Sequence, residues 1–144
     1  MFALHPFLVH FPIAMLTACF VFEVAGWYGK KPEWSQVGWW LQLVGTLGVV
    51  CAALSGVVAE ASAGPALLRA ADIFAWHEQL AFGTSAFFSF LIFFRFSSRR
   101  ALPPGWPRLY LLALGAGVGL LLLTGWLGGE LVFGYGIGMS SPSP

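Results

Sequence analysis

Four separate stretches of this 144-residue chain are each apolar for about twenty residues or more. A helix needs about 20 apolar residues to cross the hydrocarbon core of a bilayer, because it rises only 1.5 Å per residue. The stretches run over residues 6–28, 37–59, 73–96 and 107–127. In lipid every backbone N–H and C=O must be paired internally, so the segments have to be helices. The sequence therefore predicts an all-α fold: an integral membrane four-helix bundle forming a single domain over residues 1–139. Short connections make neighbouring helices antiparallel. Residues 128–139, rich in glycine yet apolar, are expected to form a loop capping one face. Residues 140–144, SSPSP, are expected to be a disordered tail.

Composition supports this and excludes other classes. Hydrophobic residues make up 58% of the chain and charged residues 9%, against about 25% charged in a soluble domain. A formal net charge of +1 with no basic stripe argues against nucleic acid as a partner. Cys19 and Cys51 lie inside apolar segments and read as small packing residues. No CxxCH motif is present, so covalent c-type haem attachment is excluded. The first apolar stretch has no basic region or A-x-A site before it and reads as a retained helix. No nucleophile–base pair, phosphate loop or hydrolytic motif appears, so no enzymatic activity of its own is indicated.

Basic residues set the expected orientation. Lys30 and Lys31 lie between the first two spans, and Arg95, Arg99, Arg100 and Arg108 between the last two. Such loops stay in the cytoplasm, which puts both termini outside, in the inner membrane of a bacterium. Trp27, Tyr28, Trp39, Trp40, Trp106 and Tyr110 then form an inner aromatic belt, and Trp76 and Trp126 an outer one. Arg95, Arg99 and Arg100 read as inner-face anchors, and Glu23 as an interfacial or paired acid.

The three histidines and most acids collect at the outer end. His5 and His10 precede or open the first span, and Glu60 ends the second. Asp72, as an N-cap, His77 and Glu78 open the third, and Glu130 ends the fourth. Ionisable groups gathered at one depth of a membrane bundle point to a cofactor or ion site. His10 and His77 at similar depth are expected to ligate a haem iron from opposite sides, with Gly56 and Gly125 making room for the macrocycle. Alternatively, His5, His10, His77, Glu60, Glu78 and Glu130 supply ligands for copper or zinc. A third reading has histidines that only bond carbonyls or headgroups. In it the chain is a cofactor-free accessory subunit, whose glycine faces (Gly48, Ala52, Gly56; Gly115, Gly119; Gly125, Gly129) pack on other helices. The expected partners are membrane lipid, quinone or a periplasmic electron carrier, and other membrane subunits or copies of the chain. One haem near one face of a core about 30 Å thick needs a second cofactor elsewhere to carry electrons across.

The chain also carries a weak internal duplication. The first and third spans each hold a histidine, His10 and His77. The second and fourth end in Ser55, Gly56, Glu60 and in Thr124, Gly125, Glu130. Two hairpins related by an axis along the membrane normal would give this pattern.

The segments LHPFLVHFPIA, SGVVA, WHEQLAFG and GGELVFGYGIG together resemble a bacterial membrane family, domain of unknown function 2231. The resemblance covers nearly the whole chain and implies a four-helix inner-membrane protein. It matches His5, Pro6, His10, Pro12, His77, Gly128, Gly129, Leu131, Gly136 and Gly138 to the family's motif positions. Phe133 stands where that pattern often has tyrosine. Some relatives are joined to cytochrome-type domains, which implies electron transfer.

Overall fold

The computed structural model describes residues 4–61, 63, 65–97 and 107–138. Four long helices dominate: α1 (Leu4–Tyr28), α2 (Pro32–Glu60), α4 (Ala71–Ser97) and α5 (Pro107–Phe133). A single turn, α3 (Ala66–Arg69), links α2 to α4. All four long helices have the length and hydropathy of membrane spans.

Local sequence explains several boundaries. The α1–α2 turn closes through Gly29 N–H to the Ala25 carbonyl at 2.8 Å and Lys31 N–H to the Gly26 carbonyl at 2.9 Å. Pro32 then opens α2, where its missing N–H leaves no bond unmade. Asp72 sits inside the first turn of α4 rather than capping it. The fourth span is longer than expected: α5 runs through Gly128 and Gly129 to Phe133, with the His77 ring packed on Gly128. The chain then turns at Gly134–Gly138, with Ile137 N–H bonded to the Leu131 carbonyl at 3.0 Å. Gly136 carries a φ of +69°, a left-handed conformation that only glycine adopts without strain. The expected disordered tail lies outside the described residues.

Around the bundle α1 packs on α2, α2 on α4, α4 on α5 and α5 on α1. Helices α1 and α4 therefore face each other across the diagonal. Each presents one buried stripe at helical spacing: Pro12, Leu16, Cys19 and Glu23 on α1, and Thr84, Phe88, Leu91 and Arg95 on α4. Leu16, Phe88 and Leu114 are fully buried at the centre.

These two stripes are the same stripe, 72 residues apart. Glu23 and Arg95, separated by 72 residues, form a buried ion pair. The same offset relates Gly45, against the side chains of Met15 and Leu16, to Gly117, against those of Phe87 and Phe88. It also relates Gly56, against the His5 ring, to Gly128, against the His77 ring. The α1–α2 and α4–α5 hairpins are thus two copies of one packing unit. The duplication expected from the sequence exists in a different register: His77 corresponds to His5, not His10. Gly56 corresponds to Gly128 rather than Gly125, and Glu60 to Val132 rather than Glu130.

Burial corrects the lower end of the bundle. Arg95, Trp39 and Tyr110 lie in the interior, not on an interfacial belt. Arg95 Nη1 donates to Glu23 and, at 2.9 Å, to the Tyr110 hydroxyl, and its Nη2 donates to the Ser35 carbonyl at 3.0 Å. Tyr110 in turn donates to Gln42 Oε1 at 2.6 Å. A buried guanidinium is tolerable only with such a set of partners. Gly38 is required there, since a Cβ would come within 2.8 Å of the Glu23 carboxyl carbon. Arg99, Arg100 and Trp106 lie outside the described residues.

Candidate functional site: a pair of imidazoles

At the other end of the same diagonal stand His5 and His77. Their ring centres are 6.4 Å apart, with planes at 84°. Each ring rests on a glycine of the neighbouring helix. A Cβ at Gly56 would come 3.2 Å from His5 Cε1, and one at Gly128 would come 3.1 Å from His77 Cε1. Both distances are tighter than ordinary contact, so these glycines give the rings their seats.

Hydrogen bonding decides the tautomer of both rings. His77 Nδ1 lies 3.0 Å from the Thr124 carbonyl, which can only accept, so Nδ1 carries the proton. His5 Nδ1 lies 2.8 Å from Ser55 Oγ. The Ser55 hydroxyl donates its one proton to the Ala52 carbonyl at 2.7 Å, so it accepts from His5. Ala52 and Thr124 are equivalent under the 72-residue offset; one half reaches that carbonyl directly and the other through a serine. In both neutral rings Nε2 is left with its lone pair. An Nδ1–H held by an oxygen, with Nε2 free, is the arrangement that orients a metal-ligating histidine.

His10 stands elsewhere. Its ring is exposed on α1, and Nδ1 donates back to the Pro6 carbonyl one turn earlier at 2.6 Å. The expected facing of His10 and His77 is therefore not what the helices produce. The reason is angular: His5, Pro12 and Leu16 share the inward stripe of α1, and position 10 falls off it.

Two clefts adjoin the imidazole pair, and His5, His77, Ala53 and Val132 line both. Between α2 and α4, Ala53, Val57, Glu60 and Phe82 line a space of about 100 Å³. Between α1 and α5, their counterparts Gly125, Gly129, Val132 and His10 line one of about 410 Å³. The second has Gly129 where the first has Val57. The smaller cleft is also covered by Ile137 of the final turn. Of the described residues in the segment expected as a loop, only 134–138 leave the helix.

The remaining acids scatter. Glu60 and Glu78 line the smaller cleft. Glu130 is exposed and folds against Gly134. Gly125 faces Ile13 rather than an imidazole. Among the described residues no group of three or more histidines, cysteines or acids is arranged to hold a metal ion.

A family profile described as a predicted membrane protein, DUF2231, matches residues 1–141. The chain belongs to the DUF2231 family. No curated protein and no solved structure matches it. Family membership agrees with four membrane-length helices, and leaves the chemistry to be argued from the imidazole pair.

The sequence places His5 among the small-ion ligands and outside the haem pair, and it gives Gly128 and Ser55 no place beside a ring. One signal could have found them. Laying residues 1–72 over 73–144 superposes His5 on His77, Gly45 on Gly117 and Gly56 on Gly128.

Proposed function

We propose that this protein is a b-type haem protein that transfers single electrons at the extracytoplasmic face of a bacterial inner membrane, with His5 and His77 as axial ligands. The observation that carries the proposal is the matched state of the two rings. Each commits Nδ1–H to an oxygen and keeps Nε2 free, with ring centres 6.4 Å apart. Metal–nitrogen bonds of about 2.0–2.1 Å place two imidazoles on opposite sides of one ion with centres about 6 Å apart.

The surroundings suit a flat macrocycle. Clefts adjoin the pair, walled mostly by glycine, alanine and apolar side chains, with Glu60 and Glu78 on the smaller one. A porphyrin brings four nitrogens of its own, so two protein donors suffice. A small ion would need three or four, and the described residues offer no such cluster. When bound, the iron would supply a reversible one-electron couple. The protein orients the two ligands through Ser55 and the Thr124 carbonyl, and excludes water with Ile137 and the apolar cleft walls. Orientation rests on Lys30, Lys31 and Arg108 at the opposite end of the bundle.

Absorption of the purified protein tests the reading. The expected result is a Soret band with split α and β bands on reduction. Both should be lost in His5→Ala and His77→Ala and retained in His10→Ala. A colourless protein carrying about one copper or zinc would favour the small-ion reading, drawing on Glu60 and Glu78 beside the same rings. A colourless, metal-free protein would overturn both.

A further inference from the structure

The two clefts beside the imidazole pair differ at positions that are equivalent in the two hairpins. The α2–α4 cleft carries Phe82 at its rim and is narrowed by Val57 and Ile137. The α1–α5 cleft carries His10 at the position equivalent to Phe82 and glycine at the position equivalent to Val57. Its rim is open to the membrane. Leu122 is 51% exposed and Phe133 is 84% exposed, and on a membrane span such surfaces face lipid.

Among the described residues lining this cleft, His10 is the exposed polar side chain. Its Nδ1–H is spent on the Pro6 carbonyl, so the neutral ring keeps Nε2 as a hydrogen-bond acceptor. The equivalent position in the other half is phenylalanine, so the fold itself does not demand a histidine there. An ionisable residue facing lipid without a structural need marks a ligand or pathway.

We infer that the mouth of the α1–α5 cleft docks a membrane-soluble hydroquinone, whose ring hydroxyl donates to His10 Nε2. The occupant has to arrive from lipid and be largely apolar, because the walls are apolar. It also needs a donor for a lone acceptor, which an acyl chain lacks and a hydroquinone has. The same cleft leads inward to His5 and His77, which would put the ring beside the redox site. This inference deepens the haem reading and rests on it.

The test is a calorimetric titration of the full-length protein in lipid nanodiscs with a decyl-tailed benzohydroquinone, against empty nanodiscs. Saturable binding of one molecule per protein is expected. His10→Phe, which copies Phe82, should weaken it roughly tenfold, the value of one hydrogen bond. His10→Gln, which keeps an acceptor, should restore most of the affinity. Haem content measured on the same samples separates the two readings. A colourless protein whose hydroquinone binding still depends on His10 would sink the haem and leave the docking site standing. A red protein with uptake no greater than empty nanodiscs, or with His10→Phe binding as tightly as wild type, would overturn the docking site alone.

Discussion

Glu23 and Arg95 are partners twice over. They form the buried ion pair at one end of the bundle, with side chains only 6% and 4% exposed, and they occupy the same position in the two halves, 72 residues apart. A symmetric pair of hairpins would place like residues opposite each other there, and two glutamates or two arginines would repel. The halves instead carry opposite charges, so each hairpin fits the other better than a copy of itself. At positions 38 and 110 they differ for the same reason: glycine admits the carboxylate, and tyrosine supplies a hydroxyl to the guanidinium.

Breaking that pair should be costly and removing it less so. Glu23→Leu alone strands a buried guanidinium and is expected to destabilise the bundle by about 3–5 kcal/mol. Glu23→Leu with Arg95→Leu should recover much of the loss. Unfolding in mixed micelles, followed by circular dichroism, would show the order; a double variant worse than either single one would contradict it.

The glycines of the two halves should separate stability from ligation. In Gly45→Ala the new Cβ would lie 2.7 Å from Leu16 Cγ, and such overpacking costs about 1–3 kcal/mol. Bound pigment should survive in whatever protein folds. In Gly56→Ala and Gly128→Ala the Cβ meets an imidazole instead, so haem per folded protein should fall while the melting temperature changes less. Equal pigment per folded protein in all three variants would be evidence against ring seating.

Ser55 and Thr124 offer an asymmetric test of ring orientation. Ser55→Ala removes the oxygen that holds His5 Nδ1–H. Loss of such an outer partner typically lowers affinity 10–100-fold. Thr124→Ala keeps the carbonyl that holds His77, so its effect on haem affinity should be small. Haem transfer to an acceptor globin measures both, and a Thr124→Ala loss as large as that of Ser55→Ala would argue against tautomer control.

Orientation can be read with cysteines. Cys19 is buried and Cys51 faces outward from a membrane span, so neither should react with a membrane-impermeant maleimide. In intact cells Gly138→Cys should be labelled and Lys30→Cys should not be until the membrane is opened. The reverse pattern would move the imidazole pair to the cytoplasmic side.

What the sequence determined by itself was the solvent and the scaffold. Long apolar runs with few charges demand helices in lipid, and short connections demand antiparallel neighbours. Those constraints are local, so the number of membrane-length helices and the fold class were legible. Which faces meet was not. Rotation of a helix about its axis changes partners without changing hydropathy. A span that is apolar all round carries no moment to reveal which side is inward. Only packing could therefore choose His5 over His10, carry α5 through Gly129, and bury Arg95 against Glu23. Those choices depend on a glycine of one helix accepting a ring or a carboxylate from another, as Gly56 accepts His5 and Gly38 accepts Glu23.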